Sequence, residues 1–501
     1  MALRVAFVTT LGANVGDEII REGVRAALDA AGLAYVPFYI DKHDRGSLGR
    51  PVEDEPQATT DKYWDADVVI QAGAPVYWHV LGGRSTSLNC DWAGWLWRDR
   101  VLARDGRRQP VFLNLGAGSS QPWGDTGRAF LADEACRAFA RDLGRAAALT
   151  IVRDPVASGI LDALGVAHHA LPCPALLASS RHQPLRGRTG FIGVNLMPLG
   201  AHHDVDGTFD RVAWLASCTS LVRQLRGLQP VVFVAHDPVE REFLQQLCAG
   251  GERVAYAPSW RDYLDIYAEL DAVVANRVHG ALCAAGFGVP AVILGNDTRA
   301  TIGDFIGLPV FRSGTVPASE VVQTVARLLN GRESERSRLV GLRDRTLERY
   351  AGLLRSLALP ERERPAAGGD DARAGQVAVS FADDWHAAEW DRLGVWRWSP
   401  GASTVDVHVS QGGVYVFDGD IAVLEPRSVV VEVDGQPAAA TEIRSPRPVA
   451  LTLLRVALEA GHHRIVLRTD RPPSTVPGDA RPLGFLLRNA RVTAVTSDVS
   501  R

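Results

Sequence analysis

The amino-acid sequence predicts an α/β protein with two Rossmann-like halves, followed by a smaller all-β domain. Three observations support this interpretation. The chain has 501 residues, which is too long for one hydrophobic core. As far as about residue 359, short β-branched runs alternate with amphipathic helical runs, an order typical of parallel sheets covered by helices on both faces. After about residue 375, short alternating segments are separated by Gly, Pro and Asp turns, as in a β-sandwich.

The first half of the α/β region, residues 1–180, contains one set of candidate strands. They are Val5–Thr10, Tyr35–Ile40, Asp67–Gln71, Val111–Leu115 and Leu149–Val152. Their nearly continuous apolar character is typical of strands that are buried on both faces. A helix is predicted over Arg128–Ala146, and another begins at Pro155, because proline suits the first helical turn.

The second half, residues 181–359, begins near a polar stretch, Ser179–Thr189, that lacks apolar periodicity. Its candidate strands are Ile192–Leu196, Val231–Ala235, Val254–Ala257, Ala272–Ala275 and Ala291–Leu294. Helices are predicted over Val212–Leu225 and Tyr263–Leu270, and a long charged helical segment over Ala318–Leu359 closes this half. Two such sets indicate two sheets that face a cleft, and ligands of doubly wound folds bind beyond the carboxyl ends of the strands.

Residues 360–375 have the Pro-, Gly- and charge-rich composition of a linker. Residues 376–501 are the predicted β-sandwich domain, with candidate strands at Thr404–Val409, Gly413–Phe417, Ser428–Val433, Ala450–Leu458 and His463–Leu467. Near its start lie Trp385, Trp390, Trp396 and Trp398. These aromatic side chains suit either stacking on sugar rings or packing in the sandwich core, and core packing is the preferred interpretation.

The composition excludes several classes of protein. The formal net charge is −4, so no overall basic field attracts nucleic acid or anionic lipid. Lys42 and Lys62 are the only lysines, which argues against a lysine-dependent phosphate loop or Schiff base. The 6 cysteines form no CxxC pair, as expected for buried thiols in a reducing compartment. No apolar run is long enough for a membrane span, and we expect a cytoplasmic protein.

The loop after the first strand, Thr9–Glu18, is the first candidate site. Gly12 and Gly16 permit a tight backbone, while Asn14 and Asp17 are typical of helix starts, where N–H groups bind anions. The same residues are equally typical of an ordinary helix cap with turn glycines. The loop lacks the GxGxxG spacing and no Walker lysine follows, so its residues alone leave both interpretations open.

A second candidate site follows the strand Ala272–Ala275. Asn276, Arg277 and His279 are placed at its carboxyl end, and a helix of small residues begins near Gly280. Arg277 and His279 are two positions apart, so on extended chain both side chains would point the same way. A guanidinium, an imidazole and helix N–H groups would then converge on a phosphate or carboxylate. Histidine there would also exchange protons near neutral pH.

Other polar or glycine residues follow neighbouring strands. Arg153 lies at the tip of the fifth candidate strand and His236 at the end of Val231–Ala235. Each taken alone suits a structural role, but at the edge of the cleft both are predicted to bind substrate. Gly73 and Gly116 follow two further strands and suit loops that line the cleft. The pairs His168-His169 and His202-His203 lack ligands at metal spacing, and Asp65–Asp67 and Asp204–Asp206 are unconvincing as metal sites, so no metal is predicted.

The ordered motifs G-A-N-V-G-D-E at 12–18, V-R-D-P-V-A-S at 152–158 and N-R-V-H-G-A at 276–281 resemble those of the polysaccharide pyruvyl transferases, and so does G-F-G-V-P-A-V-I-L-G at 286–295. The resemblance covers about residues 4–340. It implies a GT-B-like pair of Rossmann domains that moves a pyruvyl group from phosphoenolpyruvate onto a sugar, forming a ketal, without a cofactor.

The resemblance also implies roles for individual residues. Arg277 and His279 would hold the phosphate and carboxylate of the donor, with His279 as general acid. Arg153 would be a second anion ligand. Asp17 and Asn14 would line the acceptor side or supply the base. The partners would be a small anionic donor and a carbohydrate acceptor, and a homo-oligomer is compatible with the sequence.

Three segments depart from the family pattern. The glycine-rich run expected after an early strand is Gln71-Ala-Gly-Ala-Pro-Val-Tyr-Trp, and residues 78–97 are rich in tryptophan. The acidic position expected after the domain break falls in Leu171-Pro-Cys-Pro-Ala-Leu. Two alternatives therefore stay open, a GT-B glycosyltransferase that uses a nucleotide sugar and a non-catalytic glycan-binding protein.

Overall fold

The structure is a computed structural model. The residues that it describes are 2–11, 14–42, 57–58, 60–79, 93–103, 106–184, 187–201, 209–249, 251–257, 259–359, 377–381, 384–386, 389–391, 394–409, 412–446, 449–476 and 479–494. They form two compact units, one from Met1–Asp44 with Gln57–Arg362 and one within Glu363–Arg501. The linker predicted over 360–375 lies outside the described residues, as do Gly12, His202, His203 and Asp204–Asp206.

The first parallel sheet follows the Rossmann strand order. Its strands are β1 (Leu3–Thr9), β2 (Tyr35–Asp41), β3 (Gln57–Ala58), β4 (Val68–Ala72), β5 (Pro75–Trp78), β6 (Val111–Ser120), β7 (Ala147–Val152) and β8 (His169–Ala170). They are arranged β3-β2-β1-β4-β6-β7-β8, with β5 beside the end of β6. The chain therefore reverses direction across the sheet between β1 and β4, and this switch point opens a crevice at the carboxyl ends of the strands.

Helices cover both faces of this sheet. They are α1 (Val15–Ala30), α2 (Arg128–Ala132), α3 (Glu134–Ala146) and α4 (Pro155–Leu164), with 3-10 turns at Thr60–Asp65 and Pro174–Arg181 and a π-helical segment at Ala93–Val101. The single helix predicted over Arg128–Ala146 is divided at Asp133. Asp133 has an extended backbone and its side chain accepts hydrogen bonds from Ala135 N and Cys136 N, so it ends α2 and caps α3.

The second sheet repeats the same topology. Its strands β9 (Ile192–Asn195), β10 (Val231–Val234), β11 (Val254–Ala255), β12 (Ala272–Ala275), β13 (Ala291–Gly295) and β14 (Val310–Arg312) are ordered β11-β10-β9-β12-β13-β14. The helices are α5 (Arg211–Leu225), α6 (Pro238–Gln245), α7 (Trp260–Ala268), α8 (Val278–Gly286), α9 (Ala318–Asn330) and α10 (Arg332–Arg355), with a 3-10 segment at Thr298–Ile306. The predicted charged segment is thus two helices that meet at Gly331.

The two α/β halves meet directly at the end of β6. Gln121 N donates to Thr298 Oγ1 at 2.9 Å, and Thr298 N donates to Gln121 O at 3.0 Å. On the other side, the Tyr350 hydroxyl of α10 donates to Pro172 O at 3.0 Å. These contacts fix the carboxyl ends of the two sheets beside each other within one compact unit.

The second unit is a pair of antiparallel sheets. One contains β15 (Val377–Phe381), β18 (Ala402–Val409), β20 (Arg427–Val433), β21 (Gln436–Ile443) and β23 (Gly461–Thr469). The other contains β16 (Glu389–Asp391), β17 (Gly394–Ser399), β19 (Gly413–Ala422), β22 (Val449–Leu458) and β26 (Phe485–Ala494), and β24 (Ser474–Val476) pairs with β25 (Asp479–Leu483). Alternate residues point into a shared apolar core. In this core the ring of Trp385 packs edge-on against that of Phe485, with the ring centroids 5.6 Å apart. Trp385 is therefore a core residue.

The predicted fold class is confirmed: two Rossmann-like α/β halves in a GT-B-like arrangement, followed by an all-β sandwich. The short strands β3, β5, β8 and β14 were not predicted, and neither were β15–β17, β21 and β24–β26. The domain boundaries predicted at 180/181 and 375/376 remain our proposals. None of the helices in the described part of the chain combines the length and apolarity that crossing a bilayer requires.

Candidate active site

The candidate site lies where the carboxyl ends of the two parallel sheets meet. Arg153 follows β7 of the first sheet, and His279 lies in the first turn of α8, after β12 of the second sheet. Arg153 Nη1 is 3.1 Å from His279 Nε2, although the two residues are far apart in the sequence. The structure therefore brings together the strand-end residues of two different sheets, as the sequence predicted only in outline.

Arg153 carries a buried positive charge. Its side chain is 2% exposed, and Nη1 also lies 3.6 Å from Cys173 Sγ. Burial raises the pKa of the Cys173 thiol, so this neighbour is uncharged. The adjacent Asp154 carboxylate accepts hydrogen bonds from Ser119 N at 2.7 Å and Ala157 N at 2.7 Å instead. Among the described residues Arg153 forms no ion pair with a carboxylate, and its Nε has no hydrogen-bond partner.

Glycines leave the space that this guanidinium occupies. Gly73 has a φ of +60°, and a Cβ there would lie 3.1 Å from Arg153 Nη1 and 2.7 Å from Ile20 Cδ1. A Cβ at Gly118 would lie 2.9 Å from Arg153 Nε. Gly116, with a φ of +71°, faces the Pro174 ring instead, where a Cβ would lie 2.8 Å from Cδ. Gly73 thus borders the site, whereas Gly116 allows close packing behind it.

His279 is an uncharged imidazole in this arrangement. A guanidinium has only donors, so Arg153 Nη1 donates to His279 Nε2, and the imidazole proton is on Nδ1. Burial and the charge of Arg153 lower the pKa of His279 from its ordinary value to about 3. On its other side, a Cβ at Gly16 would lie 2.6 Å from Nδ1. The first turn of α1 therefore packs directly against the imidazole of the second half.

Asp17, in the first turn of α1, is paired with a lysine. Asn14 caps the helix, accepting from Gly16 N at 3.0 Å. Lys42 Nζ donates to Asp17 Oδ2 at 2.8 Å, and both side chains are buried. Burial raises the pKa of Asp17, but the charge of Lys42 and hydrogen bonds from Lys42 and Thr10 outweigh it, so the pKa lies below its ordinary value. Asp17 is therefore an ionised carboxylate within electrostatic reach of His279.

Lys42 is the residue of this site that sequence reasoning missed. The near-absence of lysine is a property of the whole chain and does not indicate where a lysine acts. However, Lys42 directly follows Asp41, the last residue of β2, and β2 lies beside β1 with Asp41 opposite Thr9. Its position directly after a strand next to the switch point is the sequence feature that could have indicated a role in the site.

Arg277 differs from the prediction. β12 ends at Ala275, so Arg277 caps α8 and His279 is already helical, and the two side chains do not share an extended face. Arg277 Nε donates to Glu240 Oε1 at 2.5 Å, and Nη2 donates to Asp237 Oδ2 at 2.5 Å. Although burial lowers the pKa of Arg277, the two carboxylates raise it further, so the guanidinium is charged and already neutralised. The expectation that both residues would face one anion does not fit this geometry.

Asn276, His236 and Gly280 form a supporting layer rather than an open surface. Asn276 Oδ1 accepts from Met197 N at 2.8 Å, and Nδ2 donates to Gly200 O at 2.8 Å and Leu294 O at 2.9 Å. His236 Nε2 lies 2.6 Å from the Tyr267 hydroxyl. A Cβ at Gly280 would collide with that same hydroxyl. Together these contacts hold the β12–α8 turn in place.

The Arg153–His279 contact and the Asp17–Lys42 pair thus lie together at the joined strand ends of a two-sheet α/β unit, an arrangement typical of enzymes. The family model for polysaccharide pyruvyl transferases matches residues 14–298, more than half of the chain, and the chain belongs to this family of transferases. A comparison with curated protein sequences found no match.

Several solved structures resemble parts of the chain. The S. aureus MnaA–UDP complex is 14% identical and covers 73% of this chain and 100% of that chain, with a TM-score of 0.42. The Methanocaldococcus jannaschii UDP-GlcNAc 2-epimerase in complex with UDP-GlcNAc and UDP is 11% identical and covers 66% and 93%, with a TM-score of 0.39. A family 35 carbohydrate binding module from an environmental isolate is 11% identical and covers 24% and 89%, with a TM-score of 0.18. At such low TM-scores, these likenesses carry no conclusion about what this chain binds.

Proposed function

We propose that the protein transfers the pyruvyl group of phosphoenolpyruvate to a sugar, forming a ketal and releasing phosphate. The observation that carries this proposal is the Arg153 guanidinium, buried beside a neutral histidine and a neutral thiol. Burying a cation without a paired anion costs several kcal/mol of folding free energy, and a bound anion would offset this cost. Phosphoenolpyruvate offers two anionic groups on a small frame, which suits one buried guanidinium and nearby N–H dipoles.

The start of α8 supplies further donors for this anion. No side chain caps α8, as is also the case for α2, α9 and α10, whereas the other helices are each capped by an Asn, Asp or Ser side chain. The first-turn N–H groups of α8 lie on the same turn as His279. Positive potential from Arg153 and from the helix N-terminus therefore overlaps at one place.

The reaction divides between an acid and a base. His279 gives a proton to the methylene carbon of the donor, which places oxocarbenium character on the neighbouring carbon. One sugar hydroxyl attacks that carbon and gives its proton to Asp17. A second hydroxyl then forms the other C–O bond of the ketal, while the C–O bond to phosphate breaks and phosphate leaves with the second hydroxyl proton. The proton on Asp17 returns to His279 through solvent, so the cycle closes.

The unusual pKa of His279 suits this sequence of events. Without an anion, burial and the charge of Arg153 both disfavour the imidazolium. A donor whose anionic group lies against Arg153 cancels that charge, so the pKa of His279 rises when the donor binds. The acid therefore takes up its proton in the presence of the substrate that consumes it.

Asp17 and Arg277 take different parts in this proposal. Asp17 accepts the proton of the acceptor, with Lys42 holding its carboxylate in place. We assign Arg277 to positioning, because its charge is matched by Glu240 and Asp237 and its backbone begins α8. Asn14 and Gly16 shape the acceptor side, and Gly73 borders the donor side.

Thermal unfolding in the presence of ligand tests the donor. Phosphoenolpyruvate at about 100 times its Kd stabilises the native state by about 2.7 kcal/mol, and a nucleotide sugar leaves the unfolding temperature unchanged. Arg153→Gln abolishes the shift, whereas Arg226→Gln, which removes an arginine paired with Glu252, preserves it. Stabilisation by a nucleotide sugar but not by phosphoenolpyruvate would contradict the proposal and favour a glycosyltransferase.

A further inference from the structure

A second cluster of ligand-type side chains lies apart from the residues assigned to transfer. His79, Asp133 and Cys136 each offer one donor atom, and the three atoms all lie within 4.8 Å of one another. In the part of the chain that the structure describes, no other group of His, Cys, Asp and Glu side chains meets that condition. None of these three residues has a role in the proposed transfer reaction, so the inference drawn from them is independent of that proposal.

The first turn of α3 fixes two of the three ligands. Asp133 Oδ1 accepts from Ala135 N at 2.8 Å and Cys136 N at 3.2 Å, so the carboxylate is held as the helix cap. This leaves Oδ2 to face His79 Nε2 at 3.5 Å. Cys136, three residues after the cap, carries a fully buried thiol on the same turn.

The Asp133 carboxylate is the charged ligand of this cluster whose ion-pair partners the structure describes. Among the described residues, the only ionisable side chain within ion-pair distance of Asp133 is His79, and no Lys or Arg side chain is paired with it. His79 is 8% exposed and follows directly after β5. A carboxylate and a thiolate would together need two positive charges, which one divalent cation supplies.

We propose that His79 Nε2, Asp133 Oδ2 and Cys136 Sγ bind one Zn²⁺ ion, with water as the fourth ligand. Imidazole, carboxylate and thiolate are the ligands that zinc prefers in proteins. Bonds of about 2.0–2.3 Å require the three side chains to close by about 1 Å. On binding, the Zn–S bond replaces the S–H bond and the thiol proton leaves to solvent.

The bound ion would join two elements that otherwise meet through side-chain packing. His79 belongs to the segment that follows β5, whereas Asp133 and Cys136 belong to α3. A metal at this place would tie the end of β5, and the Tyr77–Trp78 pair before it, to the helix layer of the first sheet. Its role would be structural, so binding does not depend on turnover.

Cobalt substitution of the full-length protein tests this site. After removal of metal with a chelator, Co²⁺ is titrated and the thiolate-to-cobalt charge-transfer absorption is recorded. We expect one equivalent of Co²⁺ to produce the band and one equivalent of Zn²⁺ to abolish it. Zn²⁺ alone should also raise the unfolding temperature.

Matched variants separate this site from other thiols. Cys136→Ser removes the charge-transfer band, and His79→Gln weakens Co²⁺ binding about 10-fold or more while retaining the band at saturation. Cys218→Ser, which removes another buried thiol, leaves both the band and the affinity unchanged. A band that persists in Cys136→Ser, unchanged affinity in His79→Gln, or no band in the parent protein overturns the proposal.

Discussion

Nη1 of Arg153 donates to Nε2 of His279 across a distance of 3.1 Å, and this hydrogen bond joins the two parallel sheets at their carboxyl ends. Each half of the α/β unit thus contributes one atom to a single contact. The guanidinium is buried without an ion-pair partner among the described carboxylates, and burial together with this charge keeps the imidazole neutral. The following predictions depend on this pair and on the neighbouring Asp17–Lys42 pair.

Replacing Arg153 should abolish donor binding and raise the pKa of His279. In Arg153→Gln the buried charge is lost, so the pKa of His279 rises from about 3 towards its ordinary value, although burial still lowers it. NMR titration of the imidazole measures this change. We expect kcat/KM for phosphoenolpyruvate to fall about 100-fold or more. Arg226→Gln serves as control, and an unchanged His279 pKa in Arg153→Gln would show that the contact is not maintained in solution.

The low pKa of His279 makes stability depend on pH. Between about pH 6.5 and pH 3, histidine binds a proton in the unfolded chain but His279 does not bind one in the native state. The free energy of unfolding therefore falls as the pH is lowered through this window. Urea unfolding at pH 7 and pH 5 should show a smaller loss for His279→Gln than for the parent protein. Equal losses for the two proteins would contradict the neutral imidazole.

Lys42 should control the ionisation of Asp17. In Lys42→Met, the hydrogen bond from Thr10 still lowers the pKa of Asp17, but the larger contributions of Lys42 are lost. The pKa of Asp17 therefore rises, and the acidic limb of the kcat profile moves to higher pH. Loss of one partner from this buried pair should destabilise the protein by about 3–5 kcal/mol. Lys42→Arg should recover part of the profile. The control is Lys62→Met, because Lys62 is an exposed lysine near Asp65 and should have no effect on the profile. A profile for Lys42→Met that matches the parent rules out the assigned role.

Gly16→Ala should separate activity from stability. The new Cβ would lie 2.6 Å from His279 Nδ1, so the imidazole must move, and a displacement of about 1 Å lowers the rate about 100-fold. Alanine favours the first turn of α1 and removes backbone freedom from the unfolded chain, which offsets part of the strain that this contact causes in the native state. Gly159→Ala in α4 is the matched control, because its Cβ meets nothing within 4 Å. Full activity of Gly16→Ala would place His279 away from the chemistry.

The sequence could predict the fold and half of this site. Periodicity located most strands of the parallel sheets, and the position of Arg153 after a strand placed it at the correct edge. The sequence could not predict that Arg153 contacts His279, because that contact depends on how the two sheets are placed within one unit. The helical start of α8 also escaped prediction, so Arg277 was assigned to the donor instead of to Glu240 and Asp237.

The Lys42–Asp17 pair was missed for a related reason. The two residues lie 25 positions apart, and only the pairing of β1 with β2 brings them together. Composition shows that lysine is rare in this chain, but it carries no information about the position of each lysine in the fold. Similarly, the Asp133 cap interrupts a helical pattern that is continuous in hydrophobicity, so the pattern alone predicted one helix.

The burial of Lys42 allows solvent access to the Asp17 side of the site to be measured by lysine modification. Of the two lysine side chains that an amine-directed isotopic label can modify, Lys62 is exposed and Lys42 is enclosed with Asp17. Reductive methylation of the folded protein should therefore mark Lys62 far faster than Lys42. The rate at Lys42 then reports how often the acceptor side opens to solvent, and a bound acceptor should slow it without any change at Lys62.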